Sequence, residues 1–125
     1  MILYLNSIKN EGQEIEIKLL QNGREIFCQT IEAKGRQAEK IIPAIVAVLQ
    51  RSKANLKAIK KIIVENSGGS FTALRIGVTT ANALAYALGI EVDGTVNGKK
   101  NKLGLTVIEP LYNREPNITI GVKKI

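Results

Sequence analysis

"KIIVENSGGSFTALRIG", residues 61–77, decides how this chain is built. It passes from a short apolar run, through a corner holding two glycines, into a long apolar segment. Lys61–Glu65 has the length and branched side chains of a buried parallel strand. Ser70 suits a helix N-cap, because its hydroxyl can accept a free N–H of the first turn. The helix it opens is predicted to run from Phe71 to about Leu88, with Gly89 as its C-terminal stop. "IEVDGTV", at 90–96, then reads as the next strand.

The corner has two readings. Free N–H groups and the helix dipole attract anions to such a place. A Walker phosphate loop, however, needs G-x-x-x-x-G-K-[ST], and here Gly69 is followed by Ser70 and Phe71 with no lysine; G-x-G-x-x-G is also absent. The plainer reading is a tight turn with a serine cap, which lets the helix present a surface.

The helix itself carries two overlapping apolar features. Leu74, Val78, Ala81, Ala85 and Leu88 form a stripe, and Ala73, Gly77, Ala81 and Ala85 form a ridge of small residues. A mid-helix glycine costs about 1 kcal/mol relative to alanine. It is tolerable where another element approaches closely along the ridge. One face can cover a sheet; the other needs a second cover, either the helix upstream or another protein chain.

Working back from this unit, Met1–Ile8 reads as a strand. Ile15, Ile17 and Leu19 alternate with Glu16 and Lys18 as a half-buried strand does. Asn22-Gly23 is a strong hairpin signal, and Glu25–Ile31 returns antiparallel. Arg36–Ser52 reads as a helix whose apolar face is Ile41, Ile42, Ile45, Val46 and Leu49. Pro43 predicts either a first-turn position or a kink there. Residues 55–61 form a basic connector, "NGKKNK" a polar turn, and 103–112 a further extended segment. The succession is βββαβαβ, a mixed sheet with helices in a single α/β domain.

Composition sets limits on the chemistry. The chain has 125 residues, no histidine and one cysteine. Ser-His and Cys-His nucleophile pairs and His-ligated metals are excluded, and no internal disulfide can form. Cys28 lies in the alternating run "REIFCQTIE" and reads as a strand side chain rather than a nucleophile. No secretory signal or membrane-length apolar run is visible, so a cytoplasmic location is expected. Eighteen basic against 11 acidic residues give net +7. That favours polyanions such as RNA, though five tyrosines and phenylalanines supply little for base stacking.

The stretch 62–90 resembles the signature of the bacterial TsaB (YeaZ) family, G-P-G-S-F-T-G-L-R-I-G-V-x-x-A. Gly69, Ser70, Phe71, Thr72, Leu74, Arg75, Ile76, Gly77, Val78 and Ala81 match it. "EKIIPAIVAVL" is similar to the family's E-R-L-L-P-x-I helix, "MILYLNS" to its opening strand, and Pro110, Tyr112 and Arg114 to its C-terminal P-x-Y-x-R element. Asn6 stands where the family carries aspartate, Ser67-Gly68 replaces Gly-Pro, and Ala73 replaces glycine.

The resemblance implies one lobe of the actin-like ATPase (ribonuclease H-like) fold at 1–96. A short connector at 97–104 stands in place of the second lobe, and a tail element follows at 105–125. It implies a non-catalytic role, without cofactor, in making N6-threonylcarbamoyladenosine at position 37 of tRNA. The implied partner is a TsaD-like catalytic subunit, joined by a TsaE-like ATPase, with self-association when the chain is alone and only indirect or weak tRNA contact. The implied partner-facing residues are Ile41, Ile45, Phe71, Ala73, Leu74, Gly77 and Ala81, and Gly69, Ser70, Thr72 and Arg75 complete the motif. A nucleotide-binding enzyme of the actin-like class and a free-standing basic tRNA-binding module are the alternatives.

Overall fold

The structure, a computed structural model, describes residues 1–68, 71–96, 99–100 and 106–107. Three antiparallel strands come first: β1 (Ile2–Ile8), β2 (Glu14–Gln21) and β3 (Arg24–Glu32). A single turn, α1 (Lys9–Gly12), links β1 to β2, with Asn10 and Glu11 at φ 53° and 56°. Asn22 and Gly23 link β2 to β3 at φ 54° and 77°. Both values are left-handed, as a two-residue hairpin turn that follows the strand twist requires. Gln21 duly pairs with Arg24.

The chain then forms α2 (Gln37–Ser52), a 3-10 turn at Leu56–Ala58, β4 (Lys61–Val64), α3 (Phe71–Leu88) and β5 (Glu91–Gly94). β4 pairs parallel with β1, and β5 parallel with β4. The sheet order is β3-β2-β1-β4-β5. The predicted α/β succession is therefore present. Beyond it, β6 (Lys99–Lys100) pairs antiparallel with β7 (Thr106–Val107), so part of "NGKKNK" is strand rather than turn. The Ser70 cap and the Pro110, Tyr112 and Arg114 element lie outside the described residues.

Strand alternation puts Leu3, Leu5 and Ser7 on one face, beside Ile15, Ile17 and Leu19 of β2 and Ile62 and Val64 of β4. α3 packs on β1, β4 and β5, and α2 on β2 and β3, so this face and both helices enclose one core. The alternate positions Tyr4, Asn6, Glu16, Lys18 and Cys28 stand on the other face.

The face expected for α2 splits in two. Ile41, Ala44, Ile45, Val48 and Leu49 are buried, whereas Ile42 and Val46 are 49% and 46% exposed. The sheet takes residues at i, i+3, i+4, i+7 and i+8, and a neighbour one residue on is rotated about 100° away. Pro43 sits in the second turn and not the first, and the helix runs on through it. Pro43 and Glu39 are both exposed, so the missing hydrogen bond falls where water reaches the Glu39 carbonyl. α3 ends as predicted: Gly89 has φ 67°, and Ile90 N–H donates to Ala85 O at 3.0 Å.

Candidate partner-binding groove

The outward side of α2 faces the outward side of the first half of α3. Between them lies a groove of about 470 Å³, lined by Ala38, Ile41, Ile42, Phe71, Thr72, Arg75, Ile76, Thr79 and Thr80. Ile41 forms its floor from the core side, at 2% exposure. Phe71 is 41% exposed, and the Arg75 guanidinium lies 5.8 Å from its ring centroid, within cation–π range. An apolar strip rimmed by threonines and one arginine has the make-up of a surface that receives a partner's apolar side chains. Val46 continues the strip one turn along α2.

The predicted site residues divide between this groove and the core. Phe71, Thr72 and Arg75 line the groove, with Ile41 beneath them. Ile45, Ala73, Leu74, Gly77 and Ala81 are buried against the chain's own sheet, which corrects the expectation that they face a partner. The small ridge exists because α3 lies close on β1. A Cβ on Gly77 would stand 2.7 Å from Ser7 Cβ and closer still to its Oγ. Ser7 Oγ, for its part, donates to the Ala73 carbonyl at 2.7 Å. Gly69 and Ser70 lie outside the described residues. In the sequence Ile42 and Val46 belong to one broad apolar face and Ile76 is a motif match, and none of the three is named as partner-facing. The signal that could have found Ile42 and Val46 is their offset from the i, i+3, i+4 rhythm of the buried side.

The start of the glycine corner is a structural knot. Asn66 is fully buried, donates through Nδ2 to Val96 O at 2.7 Å, and accepts Val96 N–H on Oδ1 at 3.0 Å. Its amide thus extends the sheet past β5 as a backbone peptide would. Gly94 leaves it room, since a Cβ there would lie 2.5 Å from Asn66 Nδ2.

The opposite sheet face is mixed, with Ile2, Leu20 and Ile63 beside its polar side chains. Tyr4 donates its hydroxyl to Glu65 Oε2 at 2.7 Å, and Thr95 donates to Glu65 Oε1 at 2.7 Å. Burial, then the Glu65 bond, raises the Tyr4 pKa well above its ordinary value. Asn6 Oδ1 accepts the Ile8 N–H at 2.9 Å, a local turn contact. Lys9 pairs with Glu16 at 2.5 Å. Cys28 is exposed at the β3 edge, and burial followed by the Glu16 charge raises its thiol pKa. No group of three or more His, Cys, Asp or Glu converges among the described residues.

Known proteins match this chain in sequence and fold. The family model described as TsaD, tRNA N6-adenosine threonylcarbamoyltransferase, matches residues 31–97, more than half of the chain. A tRNA N6-adenosine threonylcarbamoyltransferase of Geotalea daltonii is 30% identical over 108 residues, covering 74% of this chain and 32% of that protein. The tRNA threonylcarbamoyladenosine biosynthesis protein TsaB of Bacillus subtilis is 29% identical over 86 residues, covering 69% of this chain and 38% of its own length. The chain thus spans about a third of the length of these relatives. Among solved structures, YeaZ from Pseudomonas aeruginosa superposes with a TM-score of 0.67 at 23% identity, over 75% of this chain and 42% of that one. The likeness establishes the actin-like, ribonuclease H-like fold. The chain belongs to the family described by the TsaD model, as a TsaB-like member.

Proposed function

We propose that this protein is a non-catalytic partner subunit in N6-threonylcarbamoyladenosine biosynthesis, and that it docks a TsaD-like catalytic subunit in the α2/α3 groove. The observation that carries the reading is the division of the S-F-T-x-L-R-I-G motif. Its small and aliphatic members Ala73, Leu74 and Gly77 build the core, while Phe71, Thr72 and Arg75 stand at an open apolar groove. Phe71 and Ile42 are exposed large apolar side chains that line one groove, and grouped apolar surface of this kind marks interaction sites. In this reading residues 1–96 are the docking lobe, and the same groove serves self-association when the chain is alone. A TsaE-like ATPase joins the complex, the work takes place in the cytoplasm, and the chain needs no cofactor of its own. Among the described residues, no helix is long and apolar enough to cross a membrane.

The test is formation of the modified base at adenosine 37 by a TsaD-type subunit, with and without this chain. The chain alone is expected to give no product, and its addition to raise the yield. Product from the chain alone would replace this reading with an enzymatic one.

A further inference from the structure

Charge is not spread evenly along this protein. Residues 51–61, "RSKANLKAIKK", hold five basic side chains and no acidic one. The rest of residues 1–96 hold seven basic and nine acidic side chains, net −2. The excess positive charge of this lobe therefore lies at one end of the fold, where α2 ends and β4 begins, with Glu91 opposite Lys61 in the β4–β5 register as the acidic neighbour. Lys61 is paired with Asp93 at 2.7 Å. Arg51, Lys53, Lys57 and Lys60 are exposed, and among the described residues none of the four forms an ion pair.

The backbone that carries them is held firmly. Lys53 adopts the left-handed αL conformation at the end of α2, and Ala54 N–H closes the helix on Leu49 O at 2.9 Å. Asn55 Oδ1 accepts the Lys57 N–H at 2.9 Å, capping the 3-10 turn. Ile59 anchors the segment in the core at 2% exposure, and Lys60 N–H donates to Met1 O at 2.9 Å. With the backbone already ordered, only the side chains lose freedom at the moment of binding.

We infer that this segment is a phosphate-contacting surface for RNA, with Arg51, Lys53, Lys57 and Lys60 as the contacting side chains. Four unpaired cations on a fixed, largely polar loop suit a row of phosphates, whose binding is driven by counterion release. A protein partner would ask for an apolar centre, and here only Leu56, at 37% exposure, offers any large apolar surface. The choice of RNA rests on the reading that the chain serves tRNA modification. The surface begins about 13 Å along α2 from Ile42, at 1.5 Å per residue, so a partner in the groove and RNA at this end can be held together.

The probe is an unmodified tRNA transcript, titrated onto the full chain by fluorescence anisotropy between about 50 and 200 mM salt. Lys57→Gln with Lys60→Gln is compared with Lys34→Gln and Lys40→Gln, which change the net charge equally. The first pair is expected to weaken binding about tenfold or more at low salt and to make the slope of log K against log[salt] shallower by about 2. The second pair should leave the slope where it was. Equal losses from both pairs, binding insensitive to salt, or no binding by the wild type would overturn the inference. So would a surface that ignores tRNA and instead binds polyglutamate with the same sensitivity to Lys57 and Lys60. Association of the Lys57/Lys60 variant with a TsaD-type subunit is measured in parallel. Its persistence when RNA binding fails sinks only this inference, and its absence in the wild type sinks the reading beneath it.

Discussion

Ser7 and Gly77 touch across the β1–α3 contact with no space for another carbon between them. The Cβ that Gly77 lacks would stand 2.7 Å from Ser7 Cβ. Two opposed effects decide what Gly77→Ala does. Helix propensity improves by up to about 1 kcal/mol, but overpacking costs typically about 1–3 kcal/mol. Both partners of the clash sit at the close contact between strand and helix, so overpacking is expected to win. Gly77→Ala should lower the melting temperature, Gly77→Leu more so. Adding Ser7→Gly to Gly77→Ala should recover part of the loss. A melting series on the single and double variants checks this, and full stability of Gly77→Leu would place the residue elsewhere.

Asn66 should be hard to replace. Asn66→Ala leaves the Val96 N–H and C=O without the amide that satisfies them. Val96 is 39% exposed, so water takes over part of this pairing. The expected cost is about 1 kcal/mol for the lost hydrogen bonds, plus the cavity left where the buried Asn66 side chain stood. Gly94→Ala should also destabilise, by pushing the Asn66 amide off Val96. Denaturant midpoints are the measurement, and hydrogen exchange at Val96 should accelerate in both variants.

Cys28 should react slowly with thiol reagents at neutral pH despite its exposure. Its raised pKa, set first by burial and then by Glu16, leaves little thiolate there. Glu16→Gln removes a negative charge, lowers the thiol pKa and should speed the reaction. A pH–rate profile with and without the substitution gives the sign directly.

Tyr4 predicts an alkaline weakness. Its folded-state pKa is raised above the ordinary value of about 10. Folding therefore favours the protonated phenol, which donates to Glu65. The stability this adds is fully present below pH 10 and is lost as pH rises beyond it. Tyr4→Phe should be less stable than the wild type at neutral pH, and the gap should narrow in alkali.

The sequence made much of the fold legible because local signals agreed with the global arrangement. Asn22-Gly23 set the hairpin, the alternation of Ile15, Ile17 and Leu19 set the sheet face, and Gly89 ended α3 as its position implied. Periodicity states which residues share a side, but not what lies opposite them. The ridge at Ala73, Gly77 and Ala81 was therefore visible, while its occupant, Ser7, came from a strand 66 residues earlier. The same gap hid the outward turn of Ile42 and Val46, since one broad apolar face reads alike whether one or two neighbours cover it. Asn66 looked like the entrance of a loop because its strand-like pairing depends on Val96, 30 residues away.

The groove substitutions Ile42→Asp and Phe71→Asp should leave the chain folded at a cost of about 1 kcal/mol each, because both side chains are about half exposed and neither belongs to the core. They should nevertheless act strongly at an interface. Truncating a central aromatic anchor commonly costs about 2 kcal/mol or more, close to thirtyfold in Kd.

The most direct test is sedimentation of the full chain with a TsaD-type catalytic subunit, using the wild type and these two variants. The wild type should form a one-to-one complex with a Kd of about 1 μM or tighter. Phe71→Asp should weaken the complex thirtyfold or thereabouts while the variant stays folded. No complex with the wild type, or a complex indifferent to both Ile42 and Phe71, would contradict docking in the groove.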